Sequence, residues 1–226
     1  MNIQDILTEL KKNADSKSIK GMQRFGITPD KTFGVRIPIL RQIAKKAGKD
    51  HKLAQELWKI NTRETRILSS MIEEIEYISD EEMETYIAAF NYWEICDQFC
   101  MNLFEKLPFA YEKAQELAKR PEEFALRIGF VLMARLAVSD KKSPDEKFEP
   151  FLQLIYDHST DERNMVKKAV NWALRQIGKR NTTLHKKAIE VAEKIEKIDD
   201  PTARWIAKDA LQELRDEKII KRIKNG

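Results

Sequence analysis

The sequence predicts an all-α fold, and three observations carry that prediction. Glycine occurs only seven times in 226 residues, while charged residues make up 35% and hydrophobic residues 42%. A chain rich in Leu, Ile, Ala, Glu and Lys and poor in glycine favours helices over strands. Apolar residues recur at helical spacing in segment after segment, with no convincing strand pattern. The breaks between segments are short and carry helix-start signals in place of Gly/Ser linkers.

Taken in order, the segments predict helices near 3–13, 38–47, 51–60, 62–77, 80–90, 91–106, 109–119, 122–138, 145–158, 162–179, 183–197, 200–214 and 216–223. Ser79 with Glu82 forms a capping-box pattern. Ser143 with Glu146 does the same, with Pro144 at the expected first helical position, and Asp200 before Pro201 marks another start. Helices of about 10 to 18 residues joined by a few residues must pack as antiparallel neighbours. Some are apolar on more than one side. Around Val170 the residues Met165, Val166, Ala169, Trp172, Ala173, Leu174 and Ile177 nearly encircle the axis, as in a helix held between two layers. Without a heptad long enough for a coiled coil, this pattern predicts stacked helical hairpins of the HEAT type, an α-α solenoid forming one domain over residues 1–226, although no sharp sequence repeat is visible. Such a solenoid leaves a curved inner surface on which basic helices can act.

Composition excludes several classes. The hydrophobic fraction allows a substantial core and argues against disorder. Cys96 and Cys100 lie four apart inside a helical pattern, which suits buried thiols in a reducing compartment better than a disulfide framework. The start, MNIQDILTELKKN, lacks the basic, apolar and small-residue regions of a signal peptide, and no apolar run reaches membrane-spanning length. A cytoplasmic protein with no membrane partner is expected. His51, His158 and His185 are scattered, so the two cysteines lack further ligands for a metal. There is no P-loop and no G-x-G-x-x-G, so neither a metal nor an organic cofactor is expected. Trp58 and Trp205 sit in ordinary helix-face settings where packing is the default, and His185 reads as a surface helix residue.

The formal net charge of +4 is unevenly spread. From Asp161 onward there are 17 Lys and Arg against 11 Asp and Glu, whereas the first 160 residues carry 24 against 26. An earlier basic cluster includes Arg36, Arg41 and Lys45. In KKAVNWALRQIGKR, Lys168, Trp172, Arg175 and Lys179 fall at i, i+4, i+7 and i+11, one stripe of a helix. Cations suit phosphate oxygens and an indole offers a flat surface to a base or sugar, the two elements that nucleic-acid binders combine. The alternative is a packed Trp172 whose neighbouring cations reach to water.

Two further segments place charge in apolar surroundings. In FNYWEICDQFCMNLF, Trp93 and Asp97 are i and i+4, and the same face continues through Cys100, Met101 and Phe104. In FALRIGFVLMARLA the only charges are Arg127 and Arg135, and Arg127, flanked by Phe124 and Val131, is the expected partner of Asp97. A buried carboxylate needs a donor, a cation or a ligand. One reading is a structural ion pair that fixes two helices. The other is a site walled by two tryptophans in which a carboxylate favours developing positive charge, as in the oxocarbenium-like transition state of N-glycosidic cleavage.

At these residues the chain resembles the AlkD-like DNA alkylation repair glycosylases, a family of HEAT-like repeats that removes cationic N3- and N7-alkylpurines. The resemblance runs over most of the length. It rests on FGVRIPILRQIAKKAG, on YWEICD with its W-x-x-x-D element, on LRIGFVL with Arg127, and on KKAVNWALRQIGKRN with Trp172. It implies a monofunctional DNA glycosylase acting on double-stranded DNA with alkylated bases, without base flipping. Asp97 would stabilise the sugar cation and orient a water, Trp93 and Trp172 would hold the deoxyribose, and Arg127 would contact a backbone phosphate. Lys168, Arg175, Lys179, Arg36, Arg41 and Lys45 would bind the nucleic acid, and the protein would act as a monomer. The chain departs from the family pattern in the stretch from Leu136 to Pro150, which lengthens the Arg127–Trp172 interval, and at Phe25, where family members carry tyrosine. The family also includes DNA binders without glycosylase activity. A non-catalytic DNA-structure binder and a HEAT-like protein-interaction scaffold are therefore the alternatives.

Overall fold

The computed structural model describes residues 1–225, and among them 73% are helical and none lies in a strand. The helices are α1 (Ile3–Lys12), α2 (Ser16–Arg24), α3 (Ile37–Ala47), α4 (His51–Ile60), α5 (Arg63–Ile72), α6 (Asp80–Ala88), α7 (Trp93–Asn102), α8 (Ala110–Leu117), α9 (Glu123–Ser139), α10 (Glu149–Asp157), α11 (Asn164–Gly178), α12 (Thr182–Glu196), α13 (Pro201–Leu214) and α14 (Glu217–Asn225). Many start where a short polar side chain caps the first turn. Asn2, Asp15, Asp50, Thr62, Ser79, Asn181 and Asp200 each accept a hydrogen bond from a backbone amide two or three residues on. No helix among the described residues is long and apolar enough to cross a membrane.

The chain divides into two compact units, Met1–Leu107 and Pro108–Gly226. In the first, α5 is central and packs against α3, α4 and α7. Its core includes a cluster of Trp58, Tyr86, Phe90, Phe99 and Phe104 with ring centroids 4.8 to 6.4 Å apart. Trp58 thus has the packing role expected of it, with the Arg66 guanidinium 4.4 Å from its ring centroid. In the second unit α11 lies against α9, α10, α12 and α13, and α8 covers α9. Every residue of α9 from Ala125 to Ala134 is buried, Arg127 included. Gly129 permits this: a Cβ there would meet the Ala118 amide nitrogen at 2.7 Å and the Ala114 carbonyl oxygen at 2.9 Å.

Several boundaries differ from expectation for identifiable reasons. Helix α2 has no buried residue and only two apolar positions, Ile19 and Met22, too few to mark a helix in the sequence. The segment 62–77 stops at Ile72 because Glu73 turns extended and its buried carboxylate accepts from the Glu74 amide at 2.9 Å and bonds His51 Nδ1 at 2.7 Å. A separate 3-10 turn follows at Ile75–Tyr77. The segment 91–106 likewise divides into α7 and a 3-10 turn at Phe104–Lys106. Ser143 is not a helix cap: the Asp140 carboxylate accepts from the Lys142 and Ser143 amides at 3.0 Å, so these residues turn around Asp140. A 3-10 turn at Asp145–Lys147 comes next, and α10 starts only at Glu149. Trp205, for which packing was expected, is 41% exposed, with Lys167 Nζ 5.6 Å from its ring centroid.

Candidate nucleic-acid interface

The first unit supplies Trp93 and Asp97. Trp93 is the first residue of α7, and Asp97 follows one turn later on the same face. The indole has a fixed orientation because Nε1 donates to the Phe25 carbonyl at 2.8 Å. Phe25 caps the C-terminus of α2, a helix that sequence periodicity missed, and its own ring is 74% exposed. Asp97 is buried, at 8% exposure.

A charged network anchors the first turn of α7. Glu94, one residue after Trp93, receives Arg63 Nε and Nη2 at 2.6 Å each, a bidentate pair buried on both sides. Arg63 Nη1 also donates to the Val35 carbonyl at 2.9 Å and to Glu64 at 3.0 Å. Glu64 in turn accepts from the Phe33 and Val35 amides at 2.9 and 3.1 Å and from the Thr32 hydroxyl at 2.8 Å. Burial opposes the Arg63 charge, but the hydrogen bond and charge of Glu94, with those of Glu64, raise its pKa above the ordinary value. The pair joins α5, the 32–35 loop and the turn that carries Trp93. Sequence reading overlooked it because Arg63 and Glu94 are 31 residues apart and neither interrupts an apolar stripe.

The second unit supplies Arg127 and Trp172. Arg127 is 6% exposed, and its Nη1 donates to the Met165 carbonyl at 2.7 Å. Met165 lies in the first turn of α11, so Arg127 on α9 is tied to the helix that carries Trp172. Trp172 is half-buried. With its amide oxygen turned toward the donors, Gln176 accepts from Trp172 Nε1 at 2.9 Å and from Lys179 Nζ at 3.2 Å.

The six expected nucleic-acid contacts fall into different electrostatic settings. Lys168 is exposed on α11, and Arg41 and Lys45 are exposed one turn apart on α3; among the described residues none of the three has a carboxylate within 4.0 Å. Arg36 is exposed and lies 3.8 Å from Asp15. Arg175 and Lys179 differ, since both donate to Glu213 of α13, at 2.6 and 2.5 Å, and Arg175 Nε lies 3.5 Å from Asp209. Burial opposes the Glu213 charge, but the hydrogen bond from Lys179 and the charges of Lys179 and Arg175 lower its pKa. The stripe reading saw the cations along one helix but not the carboxylates that the neighbouring helix brings to them.

Cys96 and Cys100 are both buried thiols. His185 is half-buried, with Nδ1 2.8 Å from the Gly178 carbonyl at the end of α11. No group of three or more His, Cys, Asp and Glu side chains among the described residues could hold a metal ion.

Units built from helices alone, with no strand among the described residues, have the architecture of HEAT-like helical-repeat proteins. The family model described as DNA alkylation repair enzyme matches residues 6–214, and the chain belongs to that family. A solved structure described as "a new family of proteins related to the HEAT-like repeat DNA glycosylases with affinity for branched DNA structures" shares the fold at a TM-score of 0.78. Its identity is 18%, over 94% of this chain and 95% of that one. A designed armadillo repeat protein gives a TM-score of 0.40 at 15% identity, covering 79% of this chain and 92% of its own. An engineered protein gives 0.41 at 16% identity, covering 95% and 99%. No curated protein matches the sequence significantly.

Proposed function

We propose that the protein is a monofunctional DNA glycosylase that hydrolyses the N-glycosidic bond of positively charged N3- or N7-alkylpurines in duplex DNA, without extruding the base. The observation that carries this reading is the pairing on α7 of a tryptophan fixed by a backbone carbonyl with a buried carboxylate one turn away. A cationic purine is a good leaving group: it takes the electron pair of the C1′–N bond and departs neutral, so no general acid is required. What the site must supply is stabilisation of the sugar cation and a positioned water. Asp97 does both, its negative charge facing the developing positive charge and its oxygen accepting the proton of the water that bonds to C1′. The faces of Trp93 and Trp172 hold the deoxyribose, and Arg127 contacts a backbone phosphate. Lys168, Arg36, Arg41 and Lys45 add phosphate contacts, and no cofactor takes part.

Release of N7-methylguanine and N3-methyladenine from a methylated duplex tests this directly. Asp97→Asn should lower the rate at least about 100-fold, the scale for losing one preorganised transition-state interaction. Equal base release by wild type and Asp97→Asn removes the catalytic reading. The solved structure of the same fold, described by its affinity for branched DNA, favours a second reading in which the protein binds DNA junctions without cutting the glycosidic bond. That reading predicts tighter binding to a four-way junction than to a duplex, with no base released from either.

A further inference from the structure

The stretch that lengthens the Arg127–Trp172 interval builds one wall of a basic cavity in the second unit. The cavity has a volume of about 380 Å³, and its polar lining comes from Lys141, Gln176, Lys179, Arg180 and Arg222. Among the described residues no carboxylate lines it. Lys141 follows the C-terminus of α9, Gln176 and Lys179 lie at the end of α11, and Arg222 comes from α14.

Arg180 organises this wall. Its side chain is 4% exposed, and its Nη groups donate to the backbone carbonyls of Asp140 and, at 2.6 Å, Ser143. Its guanidinium also lies 4.3 Å from the Phe148 ring centroid. Backbone carbonyls satisfy its Nη donors without adding negative charge. Asp145 is the nearest carboxylate, at 4.0 Å from Nε, and Nε is buried without a hydrogen-bond partner. The 140–143 turn so clamped presents Lys141, whose Nζ donates to the Ala137 carbonyl at 3.5 Å. Among the described residues neither Lys141 nor Arg222 has a carboxylate within 4.0 Å. Burial, and then the charges of Arg180 and Arg222, push the Lys141 ammonium below its ordinary pKa. Lys179 is the weakest of the four, being shared with Glu213.

We infer that this cavity receives a phosphodiester of the DNA backbone, held by Lys141 and Arg222 over the charge of Arg180, on the strand whose sugar contacts Trp172. Gln176 links the two places, because it accepts from Trp172 Nε1 at 2.9 Å and from Lys179 Nζ at 3.2 Å. Residues 172 and 179 are two helical turns apart, about 10 Å along the axis. That distance places the phosphate within about three nucleotides of the sugar at Trp172, since a strand of B-DNA advances about 3.4 Å along the duplex axis per nucleotide. The inference rests on the reading of the protein as a DNA binder, but it does not require base excision.

The test uses a short undamaged duplex, so that it stands whether or not bases are released. Anisotropy titrations over a range of salt should show weaker binding by the Lys141→Ala, Arg222→Ala double variant, with the slope of log K against log salt reduced by about one, the increment for one phosphate contact. Both side chains lie on the surface, and an unchanged circular dichroism melt confirms that the variant is folded. Lys141→Glu should weaken binding further. Wild-type slope and affinity in the folded double variant would overturn the inference, as would the absence of duplex binding by wild type. Inorganic phosphate provides the remaining arm. If it raises the melting temperature of wild type and not of the double variant while the two bind duplex equally, the occupant is a free anion and the inference fails. If base release from methylated DNA is absent but the slope still falls, only the glycosylase reading is lost.

Discussion

Helices α7 and α11 each carry a tryptophan of the proposed site, and they hold it in opposite ways. The Trp93 indole donates to Phe25, a residue 68 positions earlier at the end of a different helix. The Trp172 indole donates to Gln176, one turn along its own helix. The neighbouring charges differ in the same sense. Glu94 and Arg63 form a bidentate pair with 8% and 2% exposed side chains, whereas Glu213, Arg175 and Lys179 are 26%, 29% and 12% exposed. Trp93 therefore depends on the tertiary structure of its whole unit, while Trp172 depends on local helix geometry. Changes to distant contacts should disturb the first and spare the second.

The largest effect should follow removal of the buried pair. Glu94→Ala leaves the Arg63 guanidinium in a dry site with only Glu64 for compensation. Breaking a buried pair from one side costs about 3–5 kcal/mol. Urea denaturation should show a loss of that size. A loss under 1 kcal/mol would mean that water reaches Arg63, and the contrast between the two helices would fail.

A smaller, more local loss should come from Gly34→Ala. Gly34 has φ +77°, and a Cβ there would overlap the Asp15 carbonyl, the backbone of the residue that caps α2. The left-handed conformation alone costs a non-glycine residue about 1–3 kcal/mol. Asp15 must move, carrying α2 and the Phe25 carbonyl with it. In a 1H–15N spectrum the Trp93 indole signal should shift while that of Trp172 stays in place. Equal shifts at both would show that the two tryptophans are not independently held.

The same contrast explains what the sequence made legible. The all-α class, most helix positions, and the placement of Trp93, Asp97, Arg127 and Trp172 on helices follow from local spacing, which a linear reading detects. Helix α2 escaped because it buries no residue and has only two apolar ones, too few to define a period. The Arg63–Glu94 pair and the Phe25 carbonyl escaped because they are long-range partners, and the carbonyl carries no side-chain signature at all. Ser143 misled because the nearby Asp140 takes the amides first. The stripe Lys168, Arg175, Lys179 looked uniform in sequence, yet only the packing of α13 on α11 shows that Glu213 offsets two of its three charges.

Glu213 is accordingly where the smallest stability change should accompany a change in binding. Its partly exposed interactions contribute at most about 1 kcal/mol after solvent screening, so Glu213→Gln should melt close to wild type. The substitution releases Arg175 and Lys179 for phosphate oxygens. Duplex affinity should rise, and the slope of log K against log salt should steepen by up to about two. The pH dependence has a fixed sign. Because the folded-state pKa of Glu213 lies below its ordinary 4.5, the stability it adds is present above that pH and lost as pH falls through the folded value. Wild type and Glu213→Gln should therefore converge in stability below that point and differ most near neutrality. Unchanged duplex affinity at neutral pH would show that Arg175 and Lys179 do not face DNA, and would leave Lys168 as the one cation of the stripe still assigned to it.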